Sequence, residues 1–191
     1  MIKAEIRILG FDDGPFERSD KNVPVIGVIY RGGKFLDGIL RTDVEVDGMD
    51  ATKKIVKSIN STRHKSQLKV IMFDGITMGG FNVIDIQEIY EKTKLPVIVI
   101  NRKCPNLENV KKALKNLKNF KKRWQMVLNA GKIKEMKIAD RKIYYQNVGI
   151  DDEEVEEIIK LSTTHGYIPE PLRVAHLIAT GIVKGESSGR A

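Results

Sequence analysis

Two short, unbroken apolar runs constrain what this chain can fold into more than any other feature. LKVIMFD at 68–74 and LPVIVI at 95–100 carry no polar alternation, the mark of strands buried on both faces. Between them lies a segment long enough for the crossover that joins parallel strands, with a helix expected near 81–92. A parallel β–α–β unit with both faces covered is therefore expected in the middle of the chain.

Upstream the pattern changes. Residues 2–11 (IKAEIRILGF) alternate and run into a turn at Asp12-Asp13-Gly14. VPVIGVIY (23–30) is rich in β-branched residues, Arg31-Gly32-Gly33-Lys34 reads as a hairpin loop, and FLDGILRTDVEV (35–46) returns as a third strand. Asp50-Ala51-Thr52 can cap a helix whose apolar positions Ile55, Val56 and Ile59 follow at helical spacing. An antiparallel meander of three strands, a helix and then β–α–β is the order of the ribonuclease-H-like fold. A flavodoxin-like or Rossmann sheet would place a helix after its first strand, and no GxGxxG or GxxxxGK[ST] loop is present. Downstream, Leu107, Val110, Leu114, Leu117, Phe120 and Trp124 form the apolar side of a basic helix or helix pair. Residues 132–147 read as a hairpin or two short strands. A helix over 151–162 has an acidic first turn, and Pro169-Glu170-Pro171 opens a further helix. The expectation is one α/β domain over 1–184, a mixed sheet flanked by helices, followed by a polar tail at 185–191.

Composition excludes several classes. The chain has 191 residues, of which 41% are hydrophobic and 30% charged, the balance of a folded protein. No run approaches the roughly 18 apolar residues of a membrane span, and the N-terminal residues lack a signal-peptide pattern. Cys104 is the single cysteine, which rules out an intrachain disulfide and a thiolate metal cage. It precedes a proline and reads as structural, and a reducing cytoplasm is the expected home. The net charge of +8 is segregated: residues 102–142 hold 14 Lys and Arg against Glu108, Glu135 and Asp140, a net of +11. Such a segment attracts polyanions, nucleic acid first among them, although a solvated lysine-rich face has the same composition.

Three acids end predicted strands at Gly pairs or beside them. Asp12 ends the first strand, Asp74 ends the fourth within Phe73-Asp74-Gly75, and Asp47 follows the third within Val46-Asp47-Gly48. In the proposed topology the first and fourth strands lie parallel and adjacent, so Asp12 and Asp74 converge at one sheet edge, where Asp47 can join them. Hard oxygen ligands of this kind suit Mg²⁺ or Mn²⁺ acting on a phosphodiester. Asp-Gly is also a common turn pair, and Asp13 and Glu45 lie near enough to substitute. Asp43 and Asp50 are weaker candidates. By residue type alone, His176, on the C-terminal helix, reads as a packed or surface histidine. His64 and His165 read as surface residues, and Trp124 as core, with base stacking as its alternative.

The segment His165-Gly166-Tyr167-Ile168-Pro169-Glu170-Pro171-Leu172-Arg173-Val174-Ala175-His176 resembles the Gly-Tyr-Arg-Leu-Pro-Glu-Pro-Thr-Arg-x-Ala-Asp/His segment of the endonuclease V family. Gly10-Phe11-Asp12 is similar to that family's Gly-Val-Asp, and Phe73-Asp74-Gly75 to its Val-Asp-Gly; both carry metal-binding aspartates there. The resemblance implies that Asp12 and Asp74 bind metal. It also places Asp47 at the family's catalytic glutamate, Lys103 at its Gly-Val-Ala-Lys lysine and His176 at its fourth active-site position. The family's Pro-Tyr-Ile-Pro wedge has no counterpart, since Phe35-Leu36-Asp37-Gly38 stands in that region. Met78-Gly79-Gly80-Phe81-Asn82 replaces the His-Pro-Arg segment. The pattern looks most like an uncharacterised archaeal branch of these relatives.

The resemblance and the charge together imply a Mg²⁺- or Mn²⁺-dependent endonuclease-like hydrolase acting on DNA or RNA, with its deaminated-base specificity left open or lost. On this reading binding is dominated by phosphate contacts and nearly blind to inosine. A non-catalytic nucleic-acid-binding module, or a protein-interaction subunit with an acidic partner, would carry the same basic segment.

Overall fold

A computed structural model of the chain describes residues 2–17 and 19–187. The meander forms β1 (Arg7–Asp13), β2 (Asn22–Arg31) and β3 (Phe35–Glu45), followed by α1 (Ala51–Ser61). The two apolar runs become β4 (Leu68–Asp74) and β7 (Val97–Asn101), separated by a small hairpin, β5 (Thr77–Met78) and β6 (Asn82–Val83), and by α2 (Ile86–Thr93). Then come α3 (Leu107–Leu114), α4 (Phe120–Asn129), β8 (Lys134–Ile138), β9 (Arg141–Val148), α5 (Asp152–Ser162) and α6 (Glu170–Lys184). The main sheet runs β3-β2-β1-β4-β7-β9-β8. β1 is antiparallel to β2 and parallel to β4, and β4 is parallel to β7, as the element order requires. The chain then reverses, since β9 pairs antiparallel with β7 and β8 with β9.

Both faces of the central strands are covered, which is why their sequences are apolar without alternation. One face sends Leu9, Phe11, Ile71, Phe73, Val97 and Val99 against Ile55 and Ile59 of α1 and Ile89 of α2. The other sends Ile8, Val70, Met72, Ile98 and Ile100 against Val155, Ile158 and Ile159 of α5 and Leu172 of α6. α6 also covers Ile26 and Val28 of β2 through Ala175 and Ala179. α3 and α4 are packed by Leu114, Met126 and Val127 over Val83 of the small hairpin. No helix among the described residues is long and apolar enough to cross a membrane.

Three local expectations change. The helix expected near 81–92 starts at Ile86. Residues up to Val83 are used by the small hairpin, and Asp85 caps α2 by accepting from Gln87 N and Glu88 N at 3.1 Å. Asp50 precedes α1 without a side-chain cap bond. Its carboxylate accepts instead from Asn82 Nδ2 at 2.6 Å and Glu45 N at 3.1 Å, and it pairs with Lys54 at 2.6 Å. Cys104, expected to be structural, is exposed. The tail positions 188–191 lie outside the described residues.

Candidate active site

The register of β1 and β4 creates the site. Phe11 pairs with Phe73, and their rings stack at 5.4 Å on the α1 face. Because side chains alternate along a strand, the next residues, Asp12 and Asp74, both turn to the α6 face, at the C-terminal ends of adjacent parallel strands. α6 comes close enough to reach them because residue 10 is glycine. A Cβ at Gly10 would lie 2.7 Å from Pro171 Cβ. With Pro171 seated there, His176 one turn further along donates or accepts at Nδ1 with Asp12 Oδ2 at 2.9 Å.

Each carboxylate has a cationic or potentially cationic partner. Asp74 Oδ2 accepts from Arg102 Nη2 at 2.8 Å, and Asp12 faces His176. Burial raises the pKa of Asp12, and the charge of Asp74 raises it further, against the lowering effect of the His176 bond. Burial likewise raises Asp74, opposed chiefly by Arg102. The bond to Asp12 raises His176. Asp13 is raised to about 6 by burial and by the neighbouring charge of Asp12. Three carboxylates, Asp12, Asp13 and Asp74, thus repel one another in a poorly solvated place, a field that favours a cation.

One oxygen of Asp47 is held by the turn at 79–81. Its Oδ1 accepts from Phe81 N at 2.7 Å, and a Cβ at Gly80 would lie 2.5 Å from that oxygen, so the 79–81 turn wraps its carboxylate. Its residue adopts φ 53°, a left-handed conformation that Asp tolerates. Asp13 holds the same turn by accepting from Gly79 N at 2.7 Å. Glu45 is exposed and its backbone N is bonded to Asp50. Lys103 is exposed, and the base that reaches Asp74 is Arg102. Ile98 and Ile100 share the face of Asp74, and Arg102 follows just past the end of β7 at Asn101. Among the described residues no three His, Cys, Asp or Glu form a ready metal cage. Mg²⁺ does not demand one, being commonly held by one or two carboxylates with water completing its coordination, and the hard oxygens of Asp12 and Asp74 fit that requirement.

The basic segment is not a uniform surface. Arg123 is buried, donating to the carbonyls of Gly48 at 2.7 Å, Asp47 at 2.6 Å, Lys118 at 2.9 Å and Phe81. Lys134 pairs with Asp152 and Lys142 with Glu135. Lys112, Lys115, Lys118, Lys121 and Lys122 on and between α3 and α4 are exposed. Trp124 is half-buried, with Lys111 Nζ 5.2 Å from its ring centre.

A mixed sheet of three meander strands and a parallel set, with carboxylates at the ends of its two central strands, defines a ribonuclease-H-like protein. The chain belongs to the family described as endonuclease dU, whose model matches residues 4–183. A UPF0215 protein of Methanothermobacter thermautotrophicus is 50% identical over 192 residues, covering 100% of this chain and 94% of its own length. The crystal structure of a protein of unknown function from Archaeoglobus fulgidus superposes with a TM-score of 0.86 at 39% identity, over 94% of this chain and 99% of that one. Endonuclease V of Ciona intestinalis, in complex with a DNA containing an inosine followed by a ribo-adenosine, shares the fold. Its TM-score is 0.64 at 12% identity, over 94% of this chain and 87% of that one.

Proposed function

We propose that the chain is a divalent-metal-dependent nucleic-acid phosphodiesterase of the endonuclease V kind, acting on nucleic acid that contains deoxyuridine, the nucleoside in its family's description. One observation carries the reading: Asp12 and Asp74 stand together at the ends of adjacent parallel strands, with His176 and Arg102 on their carboxylates. Asp12 and Asp74 would hold Mg²⁺ or Mn²⁺. When bound, such an ion acts as a Lewis acid and lowers the pKa of water. His176, oriented through Nδ1 by Asp12 and with its pKa raised, keeps Nε2 for a proton that a leaving oxygen can take. Arg102, a five-donor fork beside the carboxylates, suits a neighbouring phosphate oxygen better than the exposed Lys103 does. Asp13 is a third carboxylate within electrostatic reach, and it shares with Asp47 the bonds that hold the 79–81 turn. The exposed lysines of α3 and α4 would meet the backbone of the nucleic acid.

The test is a cleavage panel with Mg²⁺ and Mn²⁺ over single-stranded and duplex oligonucleotides containing deoxyuridine, inosine or neither. Cutting that needs the metal, and that Asp12→Asn and Asp74→Asn each reduce by 100-fold or more, is the expected result. Full activity in both variants removes the proposal. A second reading, a non-catalytic binding module of the same fold, is favoured by Asp47 being held in the 79–81 turn and by Arg102 already neutralising Asp74. Tight nucleic-acid binding with no cutting of any substrate would select it.

A further inference from the structure

Beyond the carboxylates, the sheet edge holds a partly open cavity of about 170 Å³ between the ends of β4 and β7, the small hairpin and helices α3 and α4. It begins at Gly75, directly after Asp74, where the backbone has φ 82° and the nearest atom to an added Cβ is Asn101 Oδ1 at 3.9 Å. The cavity thus starts at the sheet edge that carries the carboxylates, on the sheet face opposite to the one Asp74 turns to, since Gln146 pairs with Val99 and Asp74 with Ile100. Phe81, Val110 and Ile133 supply apolar walls. Two amides interrupt them, Asn101 and Gln146.

These amides are not arranged as core residues usually are. Gln146 is 5% exposed, and its Nε2 donates to Gly131 O at 2.8 Å. That bond fixes which way the amide faces and leaves Oε1 as an acceptor. The Asn101 side chain makes no hydrogen bond among the described residues, although it is half-buried at the cavity wall. With no partner among the described residues, the Asn101 amide is open to hydrogen bonds from a ligand at the cavity wall.

We infer that this cavity receives the uracil ring of an extruded deoxyuridine, with Asn101 and Gln146 reading its edge. The cavity is well below the roughly 300 Å³ at which drug-sized pockets begin and is of the scale of one nucleobase. Uracil presents an N–H flanked by two carbonyl oxygens. The fixed Gln146 oxygen accepts the N–H, and Asn101 Nδ2 can donate to a carbonyl. Cytosine presents a ring-nitrogen lone pair where uracil has the N–H, and that lone pair opposes the fixed oxygen. Phe81 and the aliphatic walls cover the ring faces, as sites for extruded bases do. The inference rests on the proposed function for its nucleic-acid substrate, and it adds the base and the residues that select it.

The experiment measures binding separately from cutting. Single-stranded oligonucleotides with one deoxyuridine or one deoxycytidine at the same position are titrated by fluorescence anisotropy, with Ca²⁺ in place of Mg²⁺. A 5-fluorodeoxyuridine version gives a ¹⁹F resonance that shifts when the ring is enclosed. The wild-type chain should prefer deoxyuridine tenfold or more, about 1.4 kcal/mol. Asn101→Ala and Gln146→Leu should each reduce that preference below about threefold and return the ¹⁹F shift toward its free value. Both should leave the salt dependence of binding in place. Val110→Phe, which fills the cavity, should do the same. No preference in the wild type, or a preference that survives all three substitutions, overturns the inference. Asp74→Asn separates the two readings, since it should abolish cutting and keep the deoxyuridine preference. Cutting without base preference would sink the pocket and the deoxyuridine substrate while leaving the hydrolase, and preference without cutting would sink the hydrolase alone.

Discussion

At the scale of single residues, the segment that most resembles endonuclease V is largely a device for placing His176. Glu170, 2% exposed, accepts from Arg173 Nε at 3.0 Å and Nη2 at 2.7 Å, and from His165 N at 3.2 Å. Burial works to raise its pKa, but the Arg173 fork and charge prevail and hold it below the usual glutamate range. A carboxylate with a depressed pKa contributes stability that is present above its unfolded value near 4.5 and is lost as pH falls through the folded value. Glu170→Gln should therefore lower stability by about 1–3 kcal/mol at pH 7, with a deficit that shrinks as pH falls below 4.5. Denaturant melts of both chains at pH 7 and pH 3.5 measure it; a deficit that does not change with pH would contradict the assignment. Arg123 yields a second prediction. Arg123→Met strands the carbonyls of Asp47, Gly48, Phe81 and Lys118 and should cost about 2–4 kcal/mol, whereas Lys122→Met beside it should cost under about 0.5 kcal/mol.

At the scale of elements, the contact of β1 with α6 sets the precision of the site. Gly10→Ala must push Pro171 back, because its Cβ would lie 2.7 Å from that ring carbon and from the carbonyl carbon. The shift moves His176 away from Asp12. The expected result is a loss of about 1–3 kcal/mol in stability, together with a fall in the His176 pKa toward its ordinary value, read by NMR titration of the imidazole. A lowered melting temperature with an unchanged histidine titration would show that the helix position does not set the Asp12 contact.

The elements also show what the sequence could convey. The meander and the β1–β4–β7 core were legible because buried parallel strands and a hairpin loop leave strong local patterns. Asp12 and Asp74 followed from that topology. The β5–β6 hairpin, two residues a side, leaves too short a pattern to read. It is what draws Asp47 into the 79–81 turn, a contact across 34 residues with no local mark. Arg102 lies in the bend just past β7, where no strand pattern marks it, and the short-motif resemblance points one residue further, to Lys103. The reversal of β9 onto β7 depends on pairing between distant segments, and composition is silent about it.

At the scale of the whole molecule, the +11 of residues 102–142 divides between structure and surface. Arg123 is internal, and Arg102, Lys134 and Lys142 face carboxylates. The exposed lysines of α3 and α4 remain as a field beside the sheet edge that carries Asp12 and Asp74. Replacing Lys112, Lys115, Lys121 and Lys122 together by Gln should weaken nucleic-acid binding about equally for all sequences. The slope of log affinity against log salt should flatten by about 0.7 for each lost phosphate contact on a single strand. Titrations between 50 and 200 mM salt test this, and an unchanged slope would place the binding surface elsewhere.

The bond between Asp12 and His176 joins residues 164 apart in the chain. A separation of that size means that the pair exists only when the meander, the parallel strands and α6 are in register together. A chain caught partway has Asp12 without its histidine and, before β4 docks beside β1, without Asp74 as well. The hydrolytic centre proposed here is thus tied to the complete fold: a partly opened chain keeps its positive charge toward nucleic acid and has nothing assembled with which to cut it.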